Sequence, residues 1–322
     1  MKAVVLEKPC TASELAVQEV PLPKVKQGWM LIKIKAFGIN RSEIFTRQGD
    51  SPSVKLPRII GIECAGEIVD PSDSSFQKGQ RVVSLMGGLG REFDGSYAEY
   101  ALIPSSQVYP IHNDMDWVKL AAIPEMYYTA YASLFDTLRI TKGETLLIRG
   151  GTSAVGLAAL QLAKSVGATV ISTTRNTRKK KYLREYGADF VLLDDESLSE
   201  QLFSFFPNGV NKVLELVGTT TLKHSLKLLS EHGILCMTGI LGGEWVLENF
   251  EPMMDIPSGV YFTQFDSGVN FKEQLLAELF NYIEQHKINV PIAKVFPLDE
   301  IDKAHHLMES NVANGKIVIV NS

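Results

Sequence analysis

The chain has 322 residues, 45% hydrophobic and 21% charged, with a formal net charge of −5. That length allows about two globular domains, and the interspersed acidic and basic residues argue against a nucleic-acid surface. Cys10, Cys64 and Cys236 are odd in number and form no C-x-x-C, which argues against a disulfide framework and a cysteine-rich zinc site. The apolar stretch at the start is too short for a signal peptide, and no run approaches the ~18 apolar residues of a membrane span. A reduced, cytoplasmic setting is therefore expected.

Short strands separated by turn signals are predicted over the first hundred residues, at 1–6, 29–37, 59–69, 81–85 and 96–103. Pro21, Pro23, Pro57, Pro71 and Pro104 punctuate them, where a missing N–H does no harm. The texture changes at Asp114. Helices are predicted at 115–122 and 125–138, followed by an apolar strand at 146–148. That strand breaks at Gly150-Gly151 and gives way to helical spacing of Val155, Ala158, Ala159, Leu162 and Ala163. Strand, glycine turn and helix together present backbone N–H groups and a helix dipole to a phosphate. Gly151, Thr152, Ser153, Ala154, Val155 and Gly156 are the candidate phosphate-binding residues. The pattern carries fewer glycines than G-x-G-x-x-G, and by itself an ordinary strand–helix turn fits it equally well.

Strands at 168–171, 190–193, 212–217, 234–238 and 260–264 then alternate with helices at 177–186, 198–206 and 220–229. Such alternation predicts βαβ crossovers and a doubly wound parallel sheet. Thr174, Arg175 and Lys179 follow the second strand, and no acid occurs until Glu185. A basic residue there accommodates a 2′-phosphate, whereas an acid would hold a ribose hydroxyl. NADPH is therefore the expected cofactor, the alternative for these residues being a solvated basic face. Val217, Gly218, Gly239, Ile240 and Leu241 follow later strands, where ligands bind in open parallel sheets. The tail reads as a helix at 271–285, a strand at 292–295, a helix at 301–308 and a strand at 316–320. These strands would be orphans unless they rejoined the first domain. The expected domains are thus 1–115, completed by 266–322, and 116–265.

Gly38-Ile-Asn40, Gly61-Ile-Glu-Cys-Ala-Gly66, Phe93-Asp-Gly-Ser-Tyr-Ala-Glu-Tyr100, Ile123-Pro-Glu-Met-Tyr-Tyr-Thr-Ala-Tyr131, the glycine turn and Gly315-Lys-Ile-Val-Ile319 occur in a telling order. Together they resemble the medium-chain dehydrogenase/reductase superfamily, and within it the zinc-free quinone oxidoreductase-like branch. The resemblance implies an α/β chain with a GroES-like β-rich domain and a Rossmann domain. Zinc members carry a ligand Cys where this chain has Asn40 and a ligand His where it has Ile62, so no metal is expected. The resemblance also places Asn40 beside the nicotinamide or a substrate oxygen, where its amide would donate to developing negative charge. By itself the residue reads as a loop Asn tolerant of a left-handed backbone. Thr129 is placed against the nicotinamide, and Tyr128 is the candidate proton donor, although Tyr127, Tyr128 and Tyr131 suit helix packing too.

The implied activity is NADPH-dependent reduction of a quinone or an α,β-unsaturated carbonyl. The alternatives are another small carbonyl, an enoyl thioester, or a low-turnover NADPH-binding regulatory role. A small-molecule partner and a homodimer are expected, without nucleic acid or membrane.

Overall fold

The first strand, β1 (Lys2–Leu6), is buried at Ala3, Val4 and Leu6, with only Lys2 exposed. The structure is a computed structural model that describes residues 1–269 and 271–321. After β1 come β2 (Val17–Glu19), β3 (Trp29–Gly38), α1 (Arg41–Gln48), β4 (Arg58–Ile59), β5 (Glu63–Asp70), β6 (Arg81–Leu85), β7 (Tyr100–Pro104), β8 (Tyr109–Pro110) and α2 (Trp117–Ala121). Helix α3 (Pro124–Tyr131) runs into a π-helical turn at Ala132–Thr137, where one continuous helix was expected. Next are β9 (Thr145–Arg149), α4 (Ala154–Ser165), β10 (Thr169–Thr174), α5 (Lys180–Glu185), β11 (Phe190–Leu193), α6 (Leu198–Phe205), β12 (Val210–Glu215) and α7 (Thr219–Leu226). The series continues through β13 (Leu229–Met237), α8 (Pro252–Asp255), β14 (Tyr261–Gln264) and α9 (Glu273–Gln285), and closes with β15 (Ile292–Pro297), α10 (Ile301–Glu309) and β16 (Lys316–Val320).

Contacts gather these elements into two units, Met1–Glu125 with Ile292–Ser322, and Met126–Pro291. The boundaries differ from those expected at 115 and 265. Helix α2 packs on β3, β5 and β16, which places it in the first unit. Helix α9 belongs to the second, where Tyr282 bonds Ser165 at 2.8 Å and packs on Tyr131 and Phe135.

In the first unit a seven-stranded sheet runs β15-β16-β3-β5-β6-β8, with β7 also on β3, beside a small β2-β1-β4 sheet. The orphan strands of the tail thus pair as expected, with β16 antiparallel to β3 and Val318 opposite Gly38. The expected strand at 59–69 is split by Gly61, at φ +108, because a Cβ there would strike the Ser96 and Tyr97 side chains. The expected strand at 96–103 begins only at Tyr100. Ser96, Tyr97 and Ala98 before it are buried, and Tyr97 stacks on Phe37 at 5.0 Å.

The second unit holds a six-stranded sheet of order β11-β10-β9-β12-β13-β14, parallel throughout. Strands β9 and β11 carry the near-continuous apolar runs Leu146-Leu-Ile148 and Phe190-Val-Leu-Leu193, as suits a parallel sheet covered on both faces. Leu147, Ile171, Val213 and Leu235 meet Leu202, Leu222 and Leu226 in one core cluster. All five β-strand junctions point the same way, so the turns after β9, β10, β12 and β13 share one edge of the sheet.

Candidate active site

The first unit brings four polar side chains together. Asn40 is not a left-handed loop residue. With φ −123 and ψ 161 it is the N-cap of α1, completing a capping box with Glu43. Its Nδ2 donates to Glu63 Oε1 at 2.9 Å and to Glu43 Oε1 at 3.4 Å, and its Oδ1 accepts from Lys316 Nζ at 2.5 Å. Both amide hydrogens are therefore spent inside the cluster, which removes the expected donation from Asn40 to a substrate oxygen. Glu63 Oε2 accepts the N–H of Glu125 at 2.8 Å, in the first turn of α3, where a carboxylate also suits the helix dipole. Burial pushes the Glu43 carboxyl up to about 7. The nearby Lys316 ammonium draws it down, and Glu63 adds to the rise.

Lys316 is the member of this group that sequence reasoning overlooked as a site residue. Its signal was present: a lysine opening an otherwise apolar strand, Lys316-Ile-Val-Ile-Val320, must be buried against a counter-charge or leave the strand.

In the second unit the glycine turn is tightly wound. A Cβ on Gly151 would collide with Ser172 Oγ, a buried hydroxyl without a partner, and one on Gly156 would lie 2.7 Å from Gly150 O. Ser153, standing where a glycine could have been, caps α4 by accepting from Gly156 N at 3.1 Å. The N–H groups of Gly151, Thr152, Ala154 and Val155 have no backbone partner among the described residues. This turn fits the pyrophosphate of a dinucleotide: free donors, a helix N-terminus, and no side chain between strand and helix.

Thr174, which ends β10, is buried and its hydroxyl bonds the backbone of Asn176, while Arg175 after it is exposed. Lys179 is half-buried, and that burial lowers its proton affinity. Val217 and Gly218 both donate to Glu215 Oε1, at 2.8 and 3.0 Å. Leu241 N bonds Leu216 O at 3.0 Å, so the segment holding Gly239, Ile240 and Leu241 is laced to the turn after β12. Thr129 is buried in α3. Tyr128 is fully buried between Phe265 and Phe271, and its hydroxyl accepts Lys272 N at 2.6 Å. That enclosure suits the helix-packing role that the sequence also offered for Tyr128.

A charged network under this edge was not foreseen. Arg149, which ends β9, is forked onto Asp194 at 2.6–3.1 Å and reaches Ser225 and His224. Asp194 in turn accepts from Thr173 Oγ1 at 2.9 Å, and that hydroxyl accepts Gly150 N at 3.2 Å. The network thereby fixes the first peptide of the glycine turn. Glu215, raised by burial, is bonded by Ser225 and by the turn it precedes.

Residues 26–113 match the family described as alcohol dehydrogenase GroES-like domain, and residues 186–319 match the one described as zinc-binding dehydrogenase. The quinone oxidoreductase of Lama guanicoe is 30% identical over 308 residues, 94% of this chain and 91% of that protein. The quinone oxidoreductase of Homo sapiens is 30% identical over 307 residues, with the same coverage of each chain, 94% and 91%. A mycobacterial protein solved in complex with NADPH is 27% identical with a TM-score of 0.88, covering 99% of this chain and 100% of that one.

A GroES-like unit joined to a parallel-sheet unit with a dinucleotide turn defines a nicotinamide-dependent oxidoreductase. The chain belongs to the medium-chain dehydrogenase/reductase superfamily, in its quinone oxidoreductase-like branch. The resemblance places Asn40 and Ile62 where zinc members carry their Cys and His ligands, and among the described residues there is no group of three His, Cys, Asp or Glu side chains that could hold a metal.

Proposed function

We propose that this oxidoreductase uses NADPH to reduce a quinone or an α,β-unsaturated carbonyl compound without a metal. The observation that carries the cofactor choice is the end of β10, where Thr174 and an exposed Arg175 stand in place of an acid. A guanidinium fork matches phosphate bidentately, and an absent carboxylate leaves the 2′-phosphate unopposed. The mycobacterial relative bound to NADPH supports the same choice. Bound there, the cofactor supplies the hydride, and the chain supplies its seat. The N–H groups from Gly151 to Val155 hold the pyrophosphate, with the hydroxyl of Thr152 beside them and Ser153 and Gly156 shaping the turn. Arg175 and Lys179 take the 2′-phosphate, Val217, Gly218, Gly239, Ile240 and Leu241 border the cofactor, and Thr129 lies against the nicotinamide.

The test is NADPH oxidation followed with a panel of quinones, enones and aldehydes. Steady turnover on quinones or enones is the expected result, and tight NADPH binding without turnover on any acceptor would overturn it in favour of a binding role. Arg175→Asp should cut the preference for NADPH over NADH about tenfold or more, since hydrogen bonds to charged groups contribute roughly 1.5–3 kcal/mol. An unchanged preference would remove Arg175 from the site.

We also infer a homodimer formed along β14, the edge strand of the six-stranded sheet, whose Tyr261 and Phe262 are 58% and 38% exposed. An open edge with apolar side chains favours strand pairing. Three free thiols suit a reducing cytoplasm.

A further inference from the structure

We propose that the Lys316 ammonium is the resident cation of the Asn40, Glu43 and Glu63 cluster in the first unit, replacing the metal that the family description implies and holding the Asn40 amide in one orientation. Three elements far apart in sequence meet at this charge: β16 brings Lys316, the cap of α1 brings Asn40, and the first residue of β5 brings Glu63. Nζ lies 2.5 Å from Glu63 Oε1 and 2.5 Å from Asn40 Oδ1, with 1% and 0% of the Lys316 and Glu63 side chains exposed. Either charge alone would be costly at that depth, and together they form a neutral, hydrogen-bonded pair.

The pair dictates the amide. Turned over, Asn40 would aim Nδ2 at the ammonium and Oδ1 at the Glu63 carboxylate, two repulsive contacts in place of two attractive ones. Gly38 makes room for the arrangement. A Cβ there would collide with Lys316 Cε and come within 2.5 Å of Glu63 Oε1. A divalent ion would find one carboxylate already paired and an ammonium facing it, whereas catalytic zinc needs three N, S or O protein ligands with an open fourth position. The buried pair does not depend on the reduction proposed above.

The experiment compares wild type, Lys316→Met, Glu63→Gln and the double variant. Thermal unfolding should show both single variants destabilised and the double variant recovering much of the loss, because neither member of the pair is then left without its partner and the Glu43 carboxyl, already raised by burial, can stay protonated. A Lys316→Met midpoint equal to wild type, or additive losses in the double variant, would overturn the buried pair. Zinc content measured after dialysis against zinc should show no zinc that depends on Glu63. Stoichiometric zinc in wild type that disappears in Glu63→Gln would overturn the replacement of a metal. Unfolding and zinc binding need no substrate, so failure of the proposed reduction leaves a distinct signature: no turnover in wild type with the charge coupling intact.

Discussion

Arg149 shows how a single charge can organise a binding edge without touching a ligand. Its guanidinium is buried, satisfies Asp194 through two nitrogens, and passes through Thr173 to the first N–H of the glycine turn. Arg149→Met would leave a mostly buried carboxylate unpaired, which typically costs about 3–5 kcal/mol. Urea unfolding should show a loss of that size, and wild-type stability would contradict the network. A second residue sets a pH dependence. His305 lies between Tyr97, at 2.8 Å, and Arg47, and burial followed by the Arg47 charge and His306 lowers its proton affinity to about 3. The unfolded chain takes up this proton near pH 6.5, so the stabilisation is complete above that pH. It is lost progressively as pH falls from about 6.5 toward 3, because the unfolded state then binds more protons. The stability difference between wild type and His305→Gln should therefore narrow between pH 7 and pH 5 in parallel urea titrations.

Elements explain what could be read beforehand and what could not. The alternating strands and helices of the second unit were legible because continuous apolar runs and 3.6-residue spacing are strong signals. Helix α1 was not, since Arg41-Ser-Glu-Ile-Phe-Thr-Arg-Gln48 has little apolar character and forms around its cap and partners. That omission hid the cap role of Asn40 and with it the destination of its amide hydrogens. The glycine turn was legible as a candidate, but the fit of Gly151 against Ser172 depends on register between β9 and β10, which no local pattern contains. Charges at strand ends, Arg149, Glu215 and Lys316, were visible but went unused. Each is informative because a parallel or central strand cannot keep a charge without a partner. The open side of β14 carries its own expectation. Tyr261→Lys should weaken strand pairing and shift gel filtration from dimer toward monomer, a change absent if the edge stays free in solution.

At the scale of the molecule, one unit is continuous in sequence and the other is assembled from two ends. Strands β9 to β14 all lie between Thr145 and Gln264, whereas the seven-stranded sheet of the first unit includes β15 and β16 in direct succession beside β3. During synthesis the second unit can close as soon as its own strands have emerged. The first cannot, because Val318, Ile319 and Val320 must still pair with Gly38, Phe37 and Ala36. Until then β3 has an unfilled neighbour and Glu63 waits for its counter-charge. The parallel sheet of the second unit can thus close before the first unit is complete, and the arrival of β16 completes a sheet and a charge pair in the same step.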